Sequence, residues 1–138
     1  MRCHLYCRCD DLTPYWVRWH ELGELWTKND FHPLEVSSLK SAYHKLWFKG
    51  GEDGRLRFQV GELEFDTNHG YVSFSNGRHR TILLASLMEI IPIAIGNTIL
   101  ESDIFDRFLL RPIETDEMIE LPDLEIMTAN QLRSAKHE

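Results

Sequence analysis

Three observations predict an α/β chain of the α+β kind, with a small mixed sheet and flanking helices. Residues 55–60 and 62–66 alternate apolar and polar side chains, the period of a half-buried strand. Residues 34–48 place Val36, Leu39, Tyr43, Leu46 and Trp47 near helical spacing. Between Gly70 and Gly96 the pattern changes from strand to a glycine-centred loop, then to an apolar helix, then to the β-branched run Ile90–Ile95.

Taken in order, Arg2–Cys9 alternates loosely and reads as a first strand, punctuated by Asp10, Asp11 and Pro14. Residues 15–28 carry Tyr15, Trp16, Trp19, Leu22, Leu25 and Trp26 near helical spacing, although Gly23 weakens that helix. A turn at Asn29–Pro33 separates it from the 34–48 helix, which Gly50, Gly51 and Gly54 end. Strands follow at 55–60 and 62–66, then a turn at Asn68–Gly70 and a strand at Tyr71–Phe74. A helix is expected from Thr81 to about Glu89, a buried strand at Ile90–Ile95, and a helix from the Ser102–Asp103 cap to about Leu110. Residues 1–112 form the expected domain. Residues 113–138 read as an acidic, partly flexible C-terminal segment, with a short strand at Met118–Leu121. Residues 82–100 are almost long and apolar enough for a membrane span. Glu89, Pro92, Gly96 and Asn97 argue instead for a buried helix followed by a buried strand, and for no membrane partner.

The length of 138 residues suits one domain, and 43% hydrophobic residues are enough to build a core, which excludes a wholly disordered chain. With 15 Lys+Arg against 22 Asp+Glu the net charge is −7, which argues against a generic basic nucleic-acid coat. The acidity is concentrated after residue 100, where ten carboxylates meet four basic side chains. A local positive site therefore remains open to the rest of the chain. Three cysteines argue against a secreted disulfide scaffold, and MRCHLYCRCDD has no apolar leader region, so a cytoplasmic protein is expected. Cys3, His4, Cys7 and Cys9 are too closely spaced for a tetrahedral zinc cage; semi-buried thiols are expected, and no metal site. All four tryptophans fall within the first 47 residues, as core elements or as a partner-binding surface.

The segment Ser75-Asn76-Gly77-Arg78-His79-Arg80-Thr81 carries the chemistry. Gly77 permits a tight turn, the following helix start offers unpaired N–H groups and a positive dipole end, and Arg78, His79 and Arg80 add donors. Together Asn76, Gly77, Arg78, His79, Arg80 and Thr81 suit a phosphate group. The alternative is a structural loop whose arginines pair with Glu62, Glu64 or Asp66. Those three carboxylates also share one face of a strand, an arrangement able to hold Mg²⁺. With His79 they are the candidates for catalysis in a nuclease or nucleotide hydrolase.

The strand, the G-R-H-R turn, the helix and the Ile91-Pro92-Ile93 strand resemble the ParB/sulfiredoxin-like superfamily. The stretch Phe74-Ser75-Asn76-Gly77-Arg78-His79-Arg80 is similar to the F-x-[DN]-G-R-H-R segment of the plasmid fertility inhibition factor family. Leu25-Trp26 with Asp30-Phe31 is similar to a tryptophan-aspartate-aromatic stretch in that family. The resemblance covers about 27 residues. It implies a nucleotide, ATP or CTP, or a nucleic-acid phosphate at the turn, and a role in blocking transfer of a competing plasmid. Arg78 stands where sulfiredoxins have their catalytic cysteine, so sulfinic acid reduction is not implied. The chain is also too short for the helix-turn-helix domain of ParB proteins. Two further readings stand beside this one: inhibition of a protein target through an acidic, Trp-rich surface, and metal-assisted hydrolysis.

Overall fold

The computed structural model describes residues 1–29, 42–50 and 53–136. The chain runs β1 (Arg2–Tyr6), β2 (Thr13–Arg18), α1 (Trp19–Asn29), β3 (Ala42–His44), β4 (Phe48–Gly50), β5 (Leu56–Gln59), β6 (Gly61–Asp66) and β7 (Tyr71–Asn76). It continues through α2 (Arg78–Ala85), β8 (Ile90–Ile95), α3 (Asn97–Leu100), β9 (Leu109–Pro112), β10 (Ile119–Glu120), β11 (Glu125–Met127) and α4 (Ala129–Lys136). This is a mixed α+β architecture.

A five-stranded sheet has the order β7-β6-β8-β2-β9, and a four-stranded sheet the order β10-β1-β5-β4. In the first, β6 and β8 run parallel, with Gly61 opposite Ile93, while the other pairs are antiparallel. In the second, β1 and β5 are parallel. The two sheets are joined at Val60, the single residue between β5 and β6. It is fully buried, and its N–H donates to the Tyr6 carbonyl. A parallel pair β3–β11 stands apart. The core lies between these layers and includes Val17, Leu22, Trp26, Phe58, Leu63, Ile82, Leu84, Ile91, Ile93 and Phe105.

The segment 70–96 is strand, glycine, helix, strand, as the change of period at Gly77 predicts. Residues 82–100 are not one helix: α2 ends at Ala85, and Ile91–Ile95 are wholly buried as a sheet strand. Among the described residues no helix is long and apolar enough to cross a membrane. The strands expected at 55–60, 62–66 and 71–74 are present as β5, β6 and β7.

Elsewhere pairing with distant partners overrides local periodicity. Residues 15–18, expected in a helix, are strand, because Thr13–Arg18 is hydrogen-bonded between β8 and β9. The helix begins only at Trp19. Its buried Leu22 and Trp26 are an i, i+4 pair, and Glu21 and Lys28 suit the two ends of its dipole. Gly23 is tolerated there because the Trp19 indole folds over it: a Cβ would lie 2.7 Å from Trp19 Nε1. Of the helix expected at 34–48, residues 34–41 lie outside the described residues. The rest is strand β3, a 3-10 turn at Lys45–Trp47 and strand β4, held by pairing to β11 and β5.

The helix expected from Ser102 is a single 3-10 turn, Asp103–Phe105, and Leu109–Pro112 instead adds an edge strand beside β2. The segment after residue 112, expected to be loosely held, is part of the architecture through at least Met127. Ile113, Ile119 and Leu121 are buried, β10 pairs with β1, and β11 pairs with β3.

Candidate functional site

Four elements meet at the start of α2. β7 delivers Ser75 and Asn76; Gly77 turns the chain with φ +82°, in the left-handed region; α2 begins at Arg78; and the start of β6 lies underneath. The turn sits on a glycine-to-glycine contact. A Cβ on Gly77 would lie 2.7 Å from Gly61 Cα and 2.6 Å from the Arg80 guanidinium carbon. A Cβ on Gly61 would lie 2.0 Å from Thr81 Oγ1. Gly61 is thus as necessary to the turn as Gly77. Its signal in the sequence is slight, a glycine between two alternating runs.

Thr81 is buried, and both its hydroxyl (2.7 Å) and its N–H (3.1 Å) donate to the Gly77 carbonyl. It braces the turn from inside. Asn76 and Arg78 are half-buried and His79 is exposed at the helix start. Arg80 is only 6% exposed and lies beneath Gly77. Its Nη2 donates to the Val60 carbonyl at 3.5 Å, the long limit of a hydrogen bond, and its Nε has no acceptor. Burial pulls its pKa below the ordinary arginine value. Tyr6 and Glu62 oppose that shift and Arg8 adds to it.

The carboxylates of β6 part company. Glu62 is buried at 1% exposure, whereas Glu64 and Asp66 are exposed. The β6–β7 ladder bulges beside Glu62: Glu62 faces Asn76 while Leu63 faces Phe74, leaving Ser75 as the extra residue on β7. Glu62 and Leu63 are buried in succession at the end of β6 that pairs with β8 as well as β7, where Glu62 faces Ala94. Glu62 Oε2 accepts from Arg8 Nη2 at 3.0 Å and, at 3.4 Å, from the Ser75 hydroxyl; Oε1 has no partner.

Asp66 instead organises the β6–β7 turn. It accepts from the N–H of Asn68 and from His69, whose ring holds its carboxyl below the usual range. Glu62, Glu64 and Asp66 therefore differ in environment, the first buried and the other two exposed. Among the described residues no three His, Cys, Asp or Glu side chains come together as a metal-binding group.

The cysteines behave as buried thiols where they are buried. Cys3 and Cys7 are both pushed up to about 11, chiefly by desolvation. Trp26 is buried with its ring 5.3 Å from Phe74, while Trp16, Trp19 and Trp47 pack partly buried against the core. The tryptophans are used mainly in construction. His44 caps the 3-10 turn, its Nδ1 accepting from the Leu46 N–H at 2.9 Å. A cleft of about 780 Å³ opens at the other end of α2, between Arg18–Glu21 and Ala85–Ile90. None of the residues 76–81 lines it.

Sequence reasoning found Gly77 and Arg80 but missed the partners that make the site: Gly61, Arg8 and Val60. None of these belongs to a local motif; they are brought in by the corner at Val60 and by the pairing of β1 with β5. No protein-family model, no curated protein and no solved structure matches this chain.

Proposed function

We propose that the Asn76–Thr81 turn binds a phosphate group of a nucleotide or nucleic acid, with Arg80 supplying positive charge from beneath the turn rather than reaching out from it. The observation that carries this reading is the poor satisfaction of Arg80. A buried guanidinium with one 3.5 Å hydrogen bond and an unpartnered Nε costs stability. A fold that needed only to fill that volume would use an apolar side chain, which is often as stable or more so. An anion over the turn relieves the cost. It faces the start of an eight-residue helix, with the guanidinium below.

The arrangement of β7, Gly77, α2 and β8 is compatible with the resemblance to the ParB/sulfiredoxin-like superfamily. On that resemblance the ligand is a nucleotide, and the biological role is interference with transfer or function of a competing mobile element.

The test is Arg80→Met, which preserves most of the volume and removes the charge. Thermal melts should show stability unchanged or raised. Titration with nucleotides and with a short single-stranded oligonucleotide, with and without Mg²⁺, should show affinity reduced by roughly 10–150-fold, the worth of a charge-assisted contact. Binding by the wild type should also weaken with salt. Unchanged affinity together with a large loss of stability would make Arg80 structural and end the proposal.

A further inference from the structure

We infer that Glu62 is the specificity residue of this site, accepting a hydrogen bond from a neutral hydroxyl or amino donor on a phosphorylated ligand, so that the site prefers a nucleoside phosphate to bare polyphosphate. The inference rests on the phosphate reading of the Asn76–Thr81 turn. Glu62 lies at the base of that turn, opposite Asn76 in the ladder and hydrogen-bonded to Ser75, the residue before Asn76. It is buried while Glu64 and Asp66 on the same strand are exposed, and the ladder bulges beside it at Ser75.

The two oxygens of Glu62 differ. Oε2 is spent on Arg8 and Ser75, whereas Oε1 is buried with no donor. A buried carboxylate oxygen left unpaired is costly, and bulges that re-aim a side chain are concentrated beside functional sites.

The charges around Oε1 limit what can satisfy it. Arg8 is ion-paired with Glu62, and Arg80 interacts with it electrostatically. Two guanidinium groups against one carboxylate leave the cluster with a net positive charge, which disfavours a divalent cation. The carboxylate itself repels an anion at that oxygen. A neutral N–H or O–H remains, and a ligand whose phosphate occupies the turn offers one only if it also carries a sugar or a base. Arg8 reaches Glu62 from the solvent side, its side chain 54% exposed against 2% for that of Glu62, and keeps its ion pair through Oε2 while the ligand takes Oε1.

The experiment compares inorganic tripolyphosphate with adenosine, cytidine, guanosine and uridine triphosphates on the full chain, each with and without Mg²⁺. The wild type should bind at least one nucleoside triphosphate roughly tenfold or more tighter than tripolyphosphate. Glu62→Ala should abolish that preference while tripolyphosphate affinity is unchanged or raised. Glu62→Gln is the isosteric control should the alanine variant fold poorly. It should reduce the preference without changing the thermal melt greatly.

Equal wild-type affinity for tripolyphosphate and every nucleotide would overturn the assignment of Glu62 and leave the phosphate reading standing. So would a preference that survives both substitutions, or one that appears only with Mg²⁺. Failure of tripolyphosphate and all nucleotides to bind would overturn the phosphate reading itself, and this inference with it.

Discussion

Two polar regions tie distant parts of this chain together, and they are built on opposite principles. At the seam between the chain start and the last third, the Met1 ammonium donates to the Leu121 carbonyl at 2.6 Å and pairs with the carboxylates of Glu120 and Asp123. Nearby, Arg111 donates through both terminal nitrogens to Glu117. The carboxylates of these pairs are wholly or partly solvated, and each charge has a partner. At the Gly77 turn, Glu62 and Arg80 are buried, and each keeps a polar atom with no partner. The seam closes the structure. The turn holds polar groups at an energetic cost that the fold alone does not require, and such a cost is expected where a ligand completes the hydrogen bonding.

The largest effect should come from breaking the geometry of the turn while leaving the seam alone. Gly77→Ala places a side chain at φ +82° and drives its Cβ into Arg80 and the Gly61 backbone. Backbone strain and overpacking together should cost about 3 kcal/mol or more, read as a shift of the urea unfolding midpoint. Gly61→Ala meets Thr81 Oγ1 at 2.0 Å and the Gly77 carbonyl at 3.0 Å, and should cost about 1–3 kcal/mol. Full stability in Gly77→Ala would show that the turn is not the tightly packed contact described above.

Next in size is thiol reactivity, because one cysteine sits in each region. Cys3 feels the seam ammonium and Glu120, and Cys7 feels Glu62. Both are held protonated to about 11 by burial. At neutral pH an alkylating reagent should therefore modify exposed Cys9 first, and Cys3 and Cys7 only after unfolding, as resolved by peptide mass spectrometry. Fast native labelling of Cys7 would mean that the polar cluster around Glu62 opens readily.

The same contrast explains which parts were legible in the sequence. The β7–Gly77–α2–β8 unit was readable because all its determinants are local: a period of two, a glycine, a helix start and a β-branched run. Residues 15–18 and 42–48 have an apolar spacing that fits a helix, while the pairing that decides their state comes from β8, β9, β11 and β5. The acidic segment after 112 was misread because its charge suggests solvation. Of its apolar residues, Ile113, Ile119 and Leu121 are taken into the core, whereas Met118 and Ile126 stay exposed. Glu62 was read as one of three equivalent carboxylates. What distinguishes it is that its end of β6 pairs with β8 as well as with β7, which no local pattern displays.

The smallest effect expected is a step in stability at alkaline pH, and it separates the two regions by their titrations. The Met1 ammonium has a pKa raised above its ordinary value of 8.0, first through its hydrogen bond to Asp123 and then through that to Glu120. A cationic group raised on folding contributes stability in full below its unfolded pKa and loses it as pH rises through the folded value. The seam should therefore begin to weaken above about pH 8. The thiols have the same sign with a later onset. The unfolded cysteines ionise near 9.0 while folded Cys3 and Cys7 hold their protons to about 11, so unfolding is favoured progressively across that interval. Glu120→Gln combined with Asp123→Asn should flatten the first step and leave the second. Cys7→Ala, at the turn, should flatten part of the second and leave the first. Denaturant midpoints measured from pH 7 to pH 11 resolve the two. A first step that persists in the doubly substituted seam would mean that the ammonium gains its stabilisation from the Leu121 carbonyl alone.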